Sequence, residues 1–368
     1  MDLAFVNGPI HNGPFTFHDS PGKAVGLLIA EALNHLLGNP VARHLWNCAT
    51  LANDLRHHPL RKTLARADFE ADQIRRKYSG SAWDYTAVET ATDTDLAVRA
   101  LAFDMIEDRI ATGALEISRE TIRVCAQCDH MVGFISPPAC AACRGNRFLS
   151  RKQPHLVAQR LTGRPVLDHT DLYGTVDTKH LRATAAQSPE RLLLSRTRDH
   201  GIGLDRIGLP GLVLDARAAV HITALAEARL LGAARAVMTA TPKAIANIAA
   251  YGFLFRSYEG TWLRYGPHSR VPASAVNLAN VDPADHRRML FRRWFVPLVS
   301  LGRTADLHNA QLSAVFTHFR RAWLRRTEDT GYRIRDIHEA IRSGDHRWIM
   351  DKRLLSAALR TGIAVPTS

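Results

Sequence analysis

The stretch LAFVNGPIHNGPFTFHDSPGKAVGLLIAEAL, Leu3–Leu33, decides the fold. It opens on an apolar strand, Leu3-Ala4-Phe5-Val6, and turns at once on Asn7-Gly8-Pro9-Ile10-His11, a turn repeated as Asn12-Gly13-Pro14. A helix is expected from about Ser20 to Leu37, with Leu27, Leu28, Ile29, Leu33, Leu36 and Leu37 as its apolar content, stopping at Gly38-Asn39-Pro40. Strand, glycine-bearing turn and helix in immediate succession is how an α/β nucleotide-binding fold sets a phosphate at a helix N-terminus. His11 directly follows the strand; His18 lies nearer the helix and is its rival for a role in the turn.

Working outward, the chain has 368 residues and is 46% hydrophobic, enough to bury a large core in two domains or in one domain with insertions. It contains no apolar run long enough to span a bilayer, and Met1-Asp2-Leu3 lacks the basic lead of a signal peptide. A cytoplasmic protein without membrane partners is the expectation. The net charge of +13 suits a nucleic-acid partner, but 41 of the 48 basic residues are Arg and 7 are Lys, a skew that reads as composition bias.

Four of the five cysteines form two pairs, Cys125-x-x-Cys128 and Cys140-x-x-Cys143, with eleven residues between them that include Pro137-Pro138. Each CxxC turn aims two thiolates at one point, and two turns complete the tetrahedral shell that Zn²⁺ prefers. Four thiolates leave no position for a reactive water, so the metal is expected to be structural and to fold a knuckle. His130 is an alternative ligand. Cys48, in HLWNCATL, is read as core.

Three later stretches extend the pattern in a definite order: LLLSRTRDHGIGL (Leu192–Leu204) followed by GLVLDARAAV, then YGFLFRSYEG (Tyr251–Gly260), then NLANVDP (Asn277–Pro283). With the opening turn and the paired CxxC motifs, they make the chain resemble the class I aminoacyl-tRNA synthetases, and among these the methionyl type. The resemblance covers Asp2 to Trp323 in scattered patches. It implies an α/β fold: a Rossmann-like catalytic domain with an inserted zinc-knuckle subdomain and a short C-terminal helical domain. The expected boundaries are 1–53 and 182–282 for the catalytic domain, 54–181 for the insertion with its knuckle at 125–143, and 283–368 for a reduced helical region. A helix is expected near Asp95 to Thr112 inside the insertion. Beyond Pro283, Leu290, Trp294, Val296 and Leu298, then Leu312, Val315, Phe316 and Phe319, recur on one face. The Arg292-Arg293, Arg320-Arg321 and Arg325-Arg326 pairs there suit a solvated helix face or an RNA backbone.

The resemblance also implies site residues. Asn7, Gly8, Pro9, Asn12, Gly13, His18, Gly252, Phe253 and His268 would bind ATP, with Mg²⁺ accompanying the nucleotide. His11 matches the first histidine of the family's opening signature, and Pro14 stands where the second belongs; counting back from Lys23-Ala24-Val25-Gly26 gives another register, with Thr16 and Asp19 at those positions. The family's lysine-bearing loop aligns with ASAVN, Ala273–Asn277, which has no lysine, so Arg264 or Arg270 of the long loop TWLRYGPHSRVPASAVN would replace it. Val213 stands where the methionyl type has tryptophan. Val213, Asp215 and Trp46 are the candidate substrate-binding residues, Asp215 toward an amine or ribose hydroxyl or as a cap. The rebuilt pocket disfavours methionine, and the short tail disfavours anticodon reading. The expected function is a ligase that adenylates an amino or carboxylic acid with ATP and passes it to a small acceptor without tRNA, in specialised metabolism. The alternatives are a compact synthetase acting on tRNA and a non-catalytic nucleotide-, RNA- or partner-binding descendant.

Overall fold

The computed structural model describes residues 1–10, 15–47, 66–132, 139–140, 142–159, 163–176, 178–198, 200–279, 281–282, 284–303, 305–328 and 331–360. The chain runs through β1 (Leu3–Asn7), α1 (Val25–Leu36), β2 (His44–Trp46), α2 (Arg66–Tyr78), β3 (Thr90–Thr92), α3 (Leu96–Ala111), the long strands β4 (Glu116–Cys125) and β5 (Phe148–Gln159), and α4 (Lys179–Ala185). The short strands β6 (Arg191–Leu193), β7 (Ser195–Arg196) and β8 (Val213–Leu214) lead into α5 (Ala216–Leu230), β9 (Arg235–Ala240), α6 (Pro242–Phe255), β10 (Ser257–Tyr258), β11 (Thr261–Pro267) and α7 (Ala273–Val276).

The central sheet is parallel. β9 pairs with β1 on one side and β11 on the other, and β10 closes the edge antiparallel to β11. On the far side of β1 the ladder is continued by a side chain: Asn7 Oδ1 accepts from Leu45 N at 2.7 Å and its Nδ2 donates to Leu45 O at 3.1 Å. This ties β1 to β2, which pairs in parallel with β3. The spatial order β3-β2-β1-β9-β11 is that of a doubly wound sheet, and the direction of winding reverses between β1 and β9.

Alternating side chains carry the two faces. Leu3, Phe5 and Val237 pack with Val25, Ile29 and Leu33 of α1, whereas Val6, Ala236 and Met238 pack with Ala218, Ile222 and Leu225 of α5 and Ile245 and Ala249 of α6. α1 begins after a 3₁₀ turn at Pro21–Ala24 and is followed by Gly38 in the left-handed region (φ 70°), where a residue without Cβ carries no strain. α5 is capped by Asp215, and α6 by Thr241, with Pro242 at the first helical position, where its missing N–H costs nothing.

Two placements differ from what the residues alone suggest. β3 and α3 lie in the stretch assigned from sequence to the insertion, yet Ala91, Val98, Ala102, Met105 and Ile106 belong to the same core as α5 and α6. The segment read as a long loop, TWLRYGPHSRVPASAVN, is in its first half strand β11, paired on both sides; its Leu263 and Tyr265 are fully buried. Its Thr, Trp, Leu and Tyr favour a pleated, buried strand, which outweighs the glycine and proline at its end.

β4 and β5 form an antiparallel pair that projects the cysteine-bearing turns, and β6 docks on its base. The tail is helical: α8 (His286–Leu290), a π turn at Phe291–Phe295, α9 (Val296–Ser300), α10 (Asn309–Leu324), α11 (Ile334–Ser343) and α12 (Lys352–Arg360). The π turn precedes Pro297, which has no N–H for the preceding turn and would clash with the carbonyl four residues back; widening that turn absorbs the mismatch. Phe291, Phe295, Phe319, Ile337 and Ile341 join the tail to α1 and β1 in a continuous core.

Candidate active site

The site follows from the sheet order. Where winding reverses, the chains leaving β1 and β9 diverge and open a crevice at the carboxyl ends of the strands. Here it is a cleft of about 1580 Å³, lined by Asn7, Gly8 and Pro9 at the end of β1, by Lys23 in the 3₁₀ turn and Gly26 in the first turn of α1, by Thr239–Thr241 at the end of β9, and by His268 and Arg270 after β11.

Glycine sets how closely these segments approach. Gly8 N donates to Thr239 O at 2.7 Å, and a Cβ on Gly8 would lie 2.6 Å from Ala240 Cβ and 2.7 Å from that same carbonyl oxygen. A Cβ on Gly26 would meet Thr239 O at 3.0 Å and His268 Nε2 at 3.4 Å. Thr239 Oγ1 lies within hydrogen-bond reach of both Val6 O (3.1 Å) and Gly26 O (2.8 Å), pinning the first turn of α1 to β1 and β9. His268 is buried, its Nδ1 donates to Ser269 O at 3.1 Å, and burial lowers its pKa to about 4, so at neutral pH the ring carries no charge. Lys23 is held below the usual lysine range, first by partial burial and then by the Arg270 charge, and both side chains line the cleft.

The other end is a charge cluster. Asp215 Oδ1 accepts from the backbone N–H and Nε of Arg217, both at 2.9 Å, and Oδ2 accepts from Arg217 Nη2 at 2.9 Å and from Arg196 Nε. Burial alone would raise the Asp215 pKa, but the Arg196 and Arg217 charges hold the carboxyl far below the ordinary range. The Arg217 guanidinium stacks 4.4 Å from the Tyr251 ring centroid, and burial, reinforced by the Asp215 charge, raises the Tyr251 phenol to about 12. With Lys23, Arg198, Lys243 and Arg270, six cationic side chains among the described residues line the cleft against two carboxylates, Asp19 and Asp215.

The residues singled out from sequence divide into groups. Asn7, Gly8, Pro9, Asp215, His268 and Arg270 line the cleft. His11, Asn12 and Gly13, like Pro14 and Cys48, lie outside the described residues. Thr16 and Asp19 hydrogen-bond each other, Thr16 Oγ1 donating to Asp19 Oδ2 at 2.8 Å, while His18 is exposed beside Gly80. Gly252 and Phe253 sit in α6 away from the cleft lining: a Cβ on Gly252 would strike the Tyr265 hydroxyl, so this glycine makes room for the Tyr265–His221 hydrogen bond (2.7 Å). Trp46 is buried against Phe17 and Tyr78, and Val213 is buried in β8. Arg264 donates to the carbonyls of Thr170 and Leu172 and anchors that segment to β11. Asp215 is engaged as cap and ion-pair partner, with each oxygen accepting twice.

Sequence reading passed over Arg196, Arg198, Arg217 and Lys243. The signal for Arg217 was present: an aspartate two residues before an arginine at a helix start can cap the helix and pair with that arginine at once.

The four cysteines converge. Their sulfurs lie within 4.8 Å of one another, with Cys125–Cys143 at 3.5 Å and Cys128–Cys140 at 3.7 Å, so the cluster could hold a metal ion. Tetrahedral Zn–S bonds of about 2.3 Å put sulfurs about 3.8 Å apart, so the donor set and spacing fit Zn²⁺. Burial opposes ionisation of the Cys125 thiol, yet donation from the Gln127 and Cys128 N–H groups and the neighbouring thiols brings it down to about 7. The knuckle also reaches the cleft: Thr197 Oγ1 donates to Asp129 O (2.7 Å) and accepts from Met131 N (2.8 Å), and Arg198 lies 3.3 Å from His130 Nδ1.

No protein-family model and no curated protein sequence matches the chain. Solved structures do match by shape. The Mycobacterium tuberculosis methionyl-tRNA synthetase, in two structures bound to methionyl-adenylate, superposes with TM-scores of 0.54 and 0.56 at 12% and 11% identity. Each match covers 98% of this chain and 83% of the synthetase. The ligand-free form of that enzyme gives 0.51 at 11% identity. The chain therefore has a methionyl-tRNA-synthetase-like class I synthetase fold. Among the described residues, no helix is long and apolar enough to cross a membrane.

Proposed function

We propose that this chain is an aminoacyl-tRNA-synthetase-like ligase that activates an amino or carboxylic acid with ATP and transfers it to a small acceptor. The observation that carries the reading is the cleft at the switch point between β1 and β9. There Gly8 and Gly26 let backbone approach backbone at the start of α1, and Lys23 and Arg270 both line the cleft. The likeness to a synthetase that holds an acyl-adenylate supports the same class of chemistry.

In that reaction a carboxylate oxygen of the acid attacks the α-phosphorus of ATP, the bond to pyrophosphate breaks, and an acyl-adenylate forms. The acceptor's amine or hydroxyl then attacks the acyl carbon, AMP leaves with the bonding electrons, and the acceptor loses its proton. Lys23 and Arg270 would neutralise charge growing on the phosphates, Arg270 taking the part of the missing loop lysine. His11 is assigned the stabilisation of the α-phosphate in the transition state. Mg²⁺ would accompany the triphosphate. Cys125, Cys128, Cys140 and Cys143 would hold a structural Zn²⁺, whose shell they fill, and through Asp129–Met131 the folded knuckle would support one wall of the cleft.

The test is AMP and pyrophosphate release from zinc-replete protein with ATP, Mg²⁺ and pooled acids, with and without bulk tRNA. Release that requires an acid and His11 but not tRNA is expected. Release only with tRNA would make the chain a compact synthetase, and failure to bind millimolar ATP would remove both readings.

A further inference from the structure

The end of the cleft away from Lys23 has an unusual composition for a site that must hold an amino acid by its ammonium group. Asp215 is 3% exposed, and each of its oxygens already accepts two N–H groups. A carboxylate offers about four acceptor positions, so Asp215 has none left for an incoming amine. Two guanidinium groups surround this one carboxylate, leaving one positive charge in excess. The side chains of Arg196 and Arg217 are 15% and 30% exposed, and both line the cleft together with Tyr251 and Met131. An ammonium group there would meet a saturated carboxylate and two like charges; an anion would meet the surplus cation.

The cluster is also held in place for such a partner. Asp215 is fixed as the cap of α5, and the Tyr251 ring backs one face of the Arg217 guanidinium. Arg217 spends Nε and Nη2 on Asp215, so its Nη1 is directed to neither oxygen of that carboxylate. A fixed, partly desolvated guanidinium with Nη1 turned away from Asp215 is suited to a second carboxylate, because the charge is already in place and neither arginine must be ordered at the moment of binding.

We propose that Arg196, Asp215 and Arg217 form a docking subsite for a second carboxylate of the acid, so that the substrate class is a dicarboxylic acid. This rests on the ligase reading for its reaction but not for its binding. One carboxylate of the substrate would sit on the arginine cluster, and the other would point along the cleft toward Gly8 and Lys23, where the nucleotide is assigned.

Calorimetric titration of the intact protein with glutarate and with valerate, which differ by a carboxylate in place of a methyl group, tests it. Glutarate is expected to bind at least tenfold more tightly. Asn247→Glu leaves the core untouched: Asn247 is exposed on the cleft face of α6, one turn before Tyr251, and a carboxylate there competes for the arginines. It should abolish the preference, as should Arg217→Gln, whereas Arg342→Ala, exposed on α11 and outside the cleft lining, should keep it. Equal affinity for the two acids, or a glutarate preference unchanged in Asn247→Glu, overturns the proposal. ATP titrated separately distinguishes the failures: loss of ATP binding removes the ligase reading and leaves the glutarate result standing.

Discussion

The two ends of the cleft are built on opposite principles. At the end beside β1, shape comes from backbone: Gly8 against Thr239, Gly26 against the same carbonyl, and a neutral His268 alongside. At the end beside α5, shape comes from charged side chains brought together from β7 and the start of α5. A backbone cradle tolerates no added atom, while a charge cluster tolerates no removed partner. The two ends should therefore fail under different substitutions.

The largest effect is expected from Asp215→Ala. It uncaps α5 and leaves Arg196 and Arg217 facing each other with no counter-ion in a mostly desolvated position; breaking such a pair costs about 3–5 kcal/mol. Urea unfolding should report this loss. If the comparison is right, glutarate should restore more stability to the variant than to the parent, because a bound carboxylate replaces the missing charge. A loss below about 1 kcal/mol would mean that solvent, not Asp215, compensates the arginines.

Next in size is Gly8→Val. The added atoms collide with Ala240 and with a backbone oxygen that cannot rotate away, so β1 and β9 must separate where they meet the cleft. Overpacking of this kind costs about 3 kcal/mol. Binding of ATP should be lost in any fraction that remains folded. Full ATP affinity in a folded Gly8→Val protein would place the nucleotide elsewhere.

The same contrast explains what the sequence made legible. Backbone requirements leave local marks: Asn-Gly-Pro after an apolar strand, Gly38 ending a helix, CxxC turns and a helix starting after Asp95 are all read from neighbouring residues, and the strand, the helices and the cysteine cluster stand near where those marks lie. Contacts between distant segments leave none. Nothing near Arg196 announces that it meets Asp215, nineteen positions along the chain. Gly252 shows the converse error. The resemblance of its YGF segment assigned it to ATP binding, whereas in α6 its lack of a side chain makes room for the Tyr265 hydroxyl in the core. Arg264 is similar: with Arg270 it was the candidate to replace the missing loop lysine, but pairing of β11 on both sides accompanies its commitment to the carbonyls of Thr170 and Leu172.

The smallest effect sharpens the comparison by pH. His268 in the folded protein has a pKa near 4 because burial disfavours its charged form, against 6.5 for an unburied histidine. Between those values the unfolded chain binds a proton that the folded chain refuses. The stability is therefore fully present above pH 6.5 and falls as pH drops through the window toward 4. For one such group the loss between pH 7 and pH 5 is about 2 kcal/mol. His221 and His346 are lowered to about 4 by burial as well, so the whole protein should lose more than this. The His268 share is isolated by His268→Gln: the stability difference between parent and variant should shift by about 2 kcal/mol in the variant's favour on going from pH 7 to pH 5. The Arg196–Asp215–Arg217 end should not respond, since the paired carboxyl stays ionised throughout that range. A difference that is flat with pH would mean that His268 binds its proton equally well in the folded and unfolded chain, and that burial does not set its charge.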